Sequence, residues 1–248
     1  MKRPYITLSC AMSIDGFLDS ALPRRLAMSN AADFDRVDQL RAEHDAIMVG
    51  ASTIRRDNPR LLVRSEERRQ ERVAAGKPPS PMKVTVTGTG ALPAESAFFT
   101  TGDVEKIVYC HSADEANLRR KLYGLATVVS LGDEVSMRDV VEDLADRGVE
   151  RLMVEGGGRL HTQFLVDDLV DELQLVIAPF FVGEPKAPRF VQPGRFPWTA
   201  KRRARLAETR RIGDVVLLRY ALSERCPDSG AATDDAVEER VPESDAAR

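Results

Sequence analysis

Apolar positions along this chain gather in short continuous runs rather than long alternating ones. Tyr5 to Met12, Ala46 to Gly50, Met82 to Thr87, Lys106 to Tyr109, Ala126 to Val129 and Arg151 to Val154 are such runs, rich in large or β-branched residues and bounded by turn formers. Runs of this length predict strands buried on both faces. Between them the spacing changes. Asp33 to Arg41 sets Phe34, Val37 and Leu40 at helical intervals behind Ser29-Asn30, which can cap the helix. Gly50 to Arg56 reads as a short helix entering Asp57-Asn58-Pro59, and residues 65 to 76 as an exposed amphipathic helix. Ala113 to Leu122 and Met137 to Arg147 are helical, the second ending at Gly148, a residue favoured just past a helix. Strands alternating with helices predict an α/β fold with a mostly parallel sheet and helices on both faces.

The end of the chain breaks this rhythm. Glu172 to Pro179 and Asp214 to Leu222 read as strands with no helix between them, which predicts an antiparallel C-terminal strand pair at the sheet edge. Trp198 and the basic run Lys201 to Arg205 fall in the connecting loop, where a solvated charge run is the simpler reading than a phosphate clamp. The strand over residues 170 to 177 serves the core, or pairs or packs across an interface. From Glu224 onward the residues are small, polar and acidic. They bury too little apolar surface to offset their ordering entropy, so one domain over 1–223 is expected, followed by a disordered acidic tail over 224–248.

Composition narrows the partners. A net charge of −3 over 248 residues gives no field that would draw the chain to nucleic acid or an anionic membrane. No apolar run reaches the length of a membrane span, and no signal-peptide segment precedes Tyr5. Cys10, Cys110 and Cys226 are odd in number and far apart, as expected in a reducing cytoplasm. With no paired cysteine spacing and only His44, His111 and His161, no metal site is expected, and the histidines take packing roles.

Chemistry concentrates at Val154-Glu155-Gly156-Gly157-Gly158-Arg159-Leu160, between a buried strand and the helix that carries His161 to Val166. A glycine cluster at such a junction lets a ligand approach the backbone. The helix start then presents unpaired N–H groups and the positive end of the dipole to an anion. Glu155 stands at the carboxyl end of the strand, where open α/β sheets place ligands. The motif is neither a Rossmann fingerprint nor a P-loop, and a tight turn needed only for packing remains the alternative.

Several segments in one order resemble the pyrimidine reductases of riboflavin biosynthesis, which have a dihydrofolate-reductase-like fold. They are Ser13-Ile-Asp-Gly16, Leu40-Arg41 before Asp45 to Gly50, Thr53 through Asp57 to Leu61 and Arg64, Glu155 to Gly158, Leu169 to Leu173, and Ala178-Pro179. The resemblance covers roughly residues 5 to 222. It implies reduction of a phosphoribosylamino-pyrimidine by NADPH, with NADH not excluded. It further implies cofactor contacts from Gly50, Thr53, Thr87, Gly156, Gly157, Gly158 and Leu160. Substrate contacts would come from Ser29, Arg41, Asp57, Leu61, Arg64 and Glu155, with Asp57 and Glu155 catalytic. All of these but Leu61 have a plainer alternative. Asp-Asn-Pro is turn chemistry, Arg64 could be a solvated surface arginine, and Arg41 could serve a helix C-terminus. Ser29 could cap a helix, and Glu155 could form a salt bridge. A homodimer and a separate deaminase are also implied.

Two departures stand out. Phe17 follows Asp15-Gly16 where the family often has lysine, with Arg24 and Arg25 further on, and Gly88-Thr89-Gly90-Ala91 lacks the family's arginine for an adenosine 2′-phosphate. Two other functions therefore stay open. One is reduction of another pteridine or pyrimidine, distinguished by substrate screening. The other is nucleotide binding without turnover, distinguished by cofactor binding without oxidation.

Overall fold

The computed structural model describes residues 2–22 and 25–227. Parallel pairing joins strands β1 (Tyr5–Ser13), β2 (Ala46–Gly50), β3 (Met82–Thr87), β4 (Lys106–Cys110), β5 (Thr127–Ser130), β6 (Arg151–Gly156) and β7 (Glu172–Ala178). Strands β8 (Arg205–Ile212) and β9 (Val215–Ala221) add antiparallel, giving the order β5-β4-β3-β2-β6-β1-β7-β9-β8. The chain moves outward from β2 to β5 and then returns to insert β6 between β2 and β1. Side chains alternate across the strands. Met48 and Val154 join one core cluster with Val140 of helix α6 (Met137–Asp146) and Phe164 of helix α7 (Gly158–Val166). Ile47 and Val49 join the opposite cluster with Leu40 of α1 (Ala31–Glu43), Ile54 of α2 (Ala51–Asp57) and Leu118 of α5 (Ser112–Lys121). Helix α3 (Glu66–Ala74) lies on the charged segment, as its pattern predicts. Among the described residues no helix is long and apolar enough to cross a membrane.

The structure differs from the sequence reading, or decides between its alternatives, in four places. Phe34 does not join the core; it is 43% exposed, and α1 buries Asp33, Asp38 and Leu40 instead. Asp38 accepts from the backbone amides of Arg64 (2.6 Å) and Ser65 (3.0 Å), so the helix spends inward positions on holding a loop. The segment before the last strand contains β8, and the basic run ends as that strand begins. None of the β8 residues is fully buried and four are charged, as suits an edge strand, so no apolar pattern announced it. Strand β7 lies between β1 and β9, so neither of its edges is available to another chain. Finally, packing continues past 223. The Arg225 guanidinium donates to Asp171 at 3.2 Å, and Cys226 is buried. The rest of the expected tail, residues 228–248, lies outside the described residues.

One short helix, α4 (Ala97–Thr100), was not foreseen. Lys83, fully buried on β3, donates through Nζ to the carbonyls of Phe98 (3.1 Å) and Thr101 (2.6 Å) at the end of that helix. Burial pushes its pKa down to about 8.

Two buried histidines set a pH dependence. His44 Nδ1 donates to the Leu40 carbonyl at 2.6 Å, so its Nε2 accepts from the Thr7 hydroxyl at 3.0 Å. His161 Nδ1 donates to the Phe190 carbonyl at 3.2 Å. Burial lowers each pKa to about 4 despite these carbonyl partners. The unfolded chain takes up these protons near pH 6.5, where the folded chain does not. Stability is therefore fully present above about pH 6.5 and is lost as pH falls toward 4, by up to roughly 3 kcal/mol per histidine. Urea unfolding followed from about pH 7 to 4.5 should show a falling midpoint, with His44→Gln removing part of the slope. A flat midpoint across that window would mean the histidines are not held neutral.

Candidate functional site

A cleft of about 1140 Å³ opens at the carboxyl ends of β3, β2, β6 and β1. The inserted β6 reverses the strand order there, and open α/β sheets bind ligands at such reversals. All the site residues named from sequence, from Ser29 to Leu160, line this one cleft.

One part is a backbone cradle. Strand β6 runs through Gly156, and α7 begins at Gly158. Gly156 and Gly157 have φ of 141° and 77°, where side chains are strained. His161 N–H makes a helical bond to the Gly157 carbonyl at 3.1 Å. The N–H groups of Gly158, Arg159 and Leu160 belong to the first turn, which has no intrahelical acceptors. A Cβ on Gly157 would lie 3.2 Å from Thr53 Oγ1. Gly158 is glycine for a different reason: its Cβ would fall 2.0 Å from the Arg189 carbonyl oxygen, so the loop around Arg189 needs the space. His161 Nε2 is buried without a hydrogen-bond partner, and a Cβ on Gly156 would meet it at 3.6 Å. These features fit a dinucleotide pyrophosphate, with N–H groups for the anion and no side chain in its way.

The other part is charged. Arg41 and Glu155 form a bidentate ion pair, with Nε–Oε1 at 2.5 Å and Nη2–Oε2 at 2.6 Å. Both side chains are largely buried, at 18% and 13% exposure. Arg64 is exposed, donates to the Phe34 carbonyl at 2.7 Å and lies over the Phe34 ring. The segment that runs from Asp57 to Arg64 is bent at two non-glycine residues, Asn58 (φ 44°) and Leu61 (φ 50°). Such conformations persist only where surroundings enforce them. Here Leu61 and Val63 are buried, and Asp38 fixes the following amides. Burial raises the Asp57 pKa and nearby Asp19 adds to the rise, while Arg25 and Arg56 oppose it. Arg24 lies outside the described residues.

Some assignments look different in three dimensions. Ser29 does not cap α1; Asn30 does, and Ser29 Oγ donates to Asp33 at 2.5 Å. Leu61, Leu160 and Thr87 are nearly fully buried, so they shape the wall. Phe17 is buried beneath the Arg189 guanidinium, 4.4 Å from ring centre to Cζ, which puts a cation near the lysine position of the resemblance. Arg55 also lines the cleft but was not named from sequence, and His111 and His161, given packing roles there, line it too. His111 follows the carboxyl end of β4 and lines the cleft, so strand-end position was a usable signal. Among the described residues no group of His, Cys, Asp or Glu could hold a metal.

The fold and cleft define a doubly wound α/β protein whose one large cleft has a glycine-lined helix start on one side and a set of arginines on the other. Comparisons with known proteins are specific. Residues 4–218 match the RibD C-terminal domain family. The chain is 34% identical over 213 residues to the 2,5-diamino-6-ribosylamino-4(3H)-pyrimidinone 5′-phosphate reductase of Archaeoglobus fulgidus, covering 86% of this chain and 95% of that one. It is 34% identical to the reductase of the same name from Methanothermobacter thermautotrophicus, covering 73% and 80%. The fold is shared with a pyrimidine reductase-like protein of Corynebacterium diphtheriae, at a TM-score of 0.75, 22% identity and coverage of 88% and 91%. This chain belongs to the RibD C-terminal domain family and has its dihydrofolate-reductase-like fold.

Proposed function

We propose that the chain is an NADPH-dependent reductase of riboflavin biosynthesis, converting the ribosyl side chain of a phosphoribosylamino-pyrimidine to a ribityl chain. The observation that carries this reading is one cleft that joins a glycine-lined helix start to an arginine-lined end across the Arg41–Glu155 pair. When bound, the nicotinamide supplies a hydride to the substrate C1′. The chain's own task is alignment and proton supply. Asp57, its carboxyl pKa raised, protonates the sugar ring oxygen as the ring opens and C1′ becomes an imine carbon. Arg64 grips the substrate phosphate with its planar fork. Glu155 and Arg41 hold base and sugar between the two ends. The N–H groups of α7 and the Gly50–Thr53 segment hold the cofactor.

The test is substrate-dependent loss of NADPH absorbance. The diaminopyrimidinone phosphate named for the archaeal relatives is expected to react faster than 5-amino-6-(5-phosphoribosylamino)uracil. No loss with either, despite NADPH binding, would leave another pteridine or pyrimidine as substrate, or binding without turnover. Arg64→Ala is expected to raise the substrate KM about tenfold, the low end for a charge-assisted bond because the side chain is exposed. The cofactor KM should stay within about twofold, since α7 and not Arg64 holds the cofactor phosphates. Equal rises in both would remove Arg64 from the phosphate. The same reading carries a homodimer, which light scattering of the purified chain would establish or refute.

A further inference from the structure

The cradle at Gly157 to Leu160 divides the cleft. On one side stand Arg41, Asp57 and Arg64. On the other, the carboxyl ends of β3 and β4 bring Thr87, Gly88, Thr89 and His111 to the wall. A dinucleotide with its pyrophosphate at α7 and its nicotinamide toward the arginine-lined end must extend its adenosine half over β3 and β4.

That end holds a cation which the local sequence conceals. The turn Gly88-Thr89-Gly90-Ala91 carries none. Arg55 reaches it from α2, where Nη1 donates to the Ala91 carbonyl at 2.7 Å, and its side chain lines the cleft. Residues two apart on a helix do not share a face. Arg55 therefore faces this turn while Asp57 faces Asp19 and Arg25. The bond to Ala91 uses one of several guanidinium donors and fixes the side chain in place. His111 approaches the same turn from β4. Its Nδ1 donates to the Asp133 carbonyl at 2.7 Å, and its Nε2 would stand 3.4 Å from a Cβ on Gly88. Thr87 Oγ1 accepts from Thr89 N at 3.4 Å and tightens the turn. One carboxylate is nearby: Asp114 leans on Gly90, but it does not line the cleft.

We propose that Arg55, assisted by His111, reads the 2′-phosphate of the adenosine ribose and makes this chain select NADPH over NADH. The proposal rests on the cofactor reading above. A planar, permanently charged fork matches a phosphate dianion. A ribose hydroxyl gives it no comparable partner.

Equilibrium binding separates the two. Kd for NADPH and for NADH is read from nicotinamide fluorescence with the full chain, without substrate. Competition by 2′-AMP and by 5′-AMP isolates the adenosine end. The native chain should bind NADPH more tightly than NADH and prefer 2′-AMP. Arg55→Gln should weaken NADPH about 10- to 30-fold and leave NADH within about twofold. His111→Gln should weaken NADPH by a smaller factor in the same direction. Equal loss for both dinucleotides, or NADPH binding unchanged in Arg55→Gln, would overturn the role of Arg55 while leaving the cofactor reading intact. Tighter binding of NADH by the native chain would also overturn it, with Asp114 then the group to examine at the ribose. Binding of neither dinucleotide would overturn the cofactor reading and this proposal together.

Discussion

Asp57→Asn is expected to lower kcat by about two to four orders of magnitude, the range for a lost general acid. The fold and the NADPH Kd should be unchanged. Asparagine keeps the size of the side chain and leaves the turn chemistry of residues 57–59 in place. The left-handed Asn58, whose N–H bonds to the Ile54 carbonyl at 3.2 Å, is untouched. What is lost is a proton. Burial holds the Asp57 carboxyl above its ordinary pKa, against the pull of Arg25 and Arg56, so more of it stays protonated as pH rises through the acid range. A general acid of this kind loses activity as pH rises through its pKa. The native rate should therefore show a limb falling toward alkaline pH, and that limb should disappear in the variant. Unchanged turnover, or the same limb in Asp57→Asn, would remove Asp57 from proton transfer. A lowered unfolding midpoint would instead make it a turn residue. Measuring kcat across pH beside urea unfolding distinguishes these results.

Much of this architecture was legible because buried parallel strands are continuous apolar runs and helices between them have their own period. That the named residues share one cleft was legible for a related reason. Asp57, Glu155 and the glycines all sit where a strand or short helix ends, and such ends converge in this fold. What escaped notice involved residues whose partners are distant in sequence. Strand β8 is legible only once β9 offers it an edge. Phe34 has the spacing of a core residue, yet Asp38, on the same helix, takes an inward place because two amides of a distant loop need an acceptor. Arg55 lies between Thr53 and Asp57, and only the fold shows that it turns toward Ala91. The three glycines looked alike in sequence, but Gly158 answers to the Arg189 carbonyl and Gly157 to a positive φ beside Thr53.

Glu155→Gln is expected to cost both stability and activity, by about 3 kcal/mol and about a hundredfold in kcat/KM. The stability loss follows from burial. Removing one partner of a largely buried pair leaves the Arg41 charge uncompensated, which typically costs about 3–5 kcal/mol. The remaining exposure of 18% at Arg41 places the effect at the low end. The activity loss follows from position. Glu155 is the last residue but one of β6, directly before the glycine cradle, while Arg41 also reaches the Leu62 carbonyl at 3.4 Å, so the pair ties the 57–64 segment to that cradle. A hundredfold loss is about 2.7 kcal/mol of transition-state stabilisation. The joint replacement Arg41→Met with Glu155→Met separates the two effects. Apolar substitution of a whole buried pair is often neutral or stabilising, so the double variant should regain most of the lost unfolding free energy. Its kcat/KM should stay low, because nothing then bridges the two ligands. If the double variant recovers activity along with stability, the pair is scaffolding, and Glu155 has no part in the chemistry.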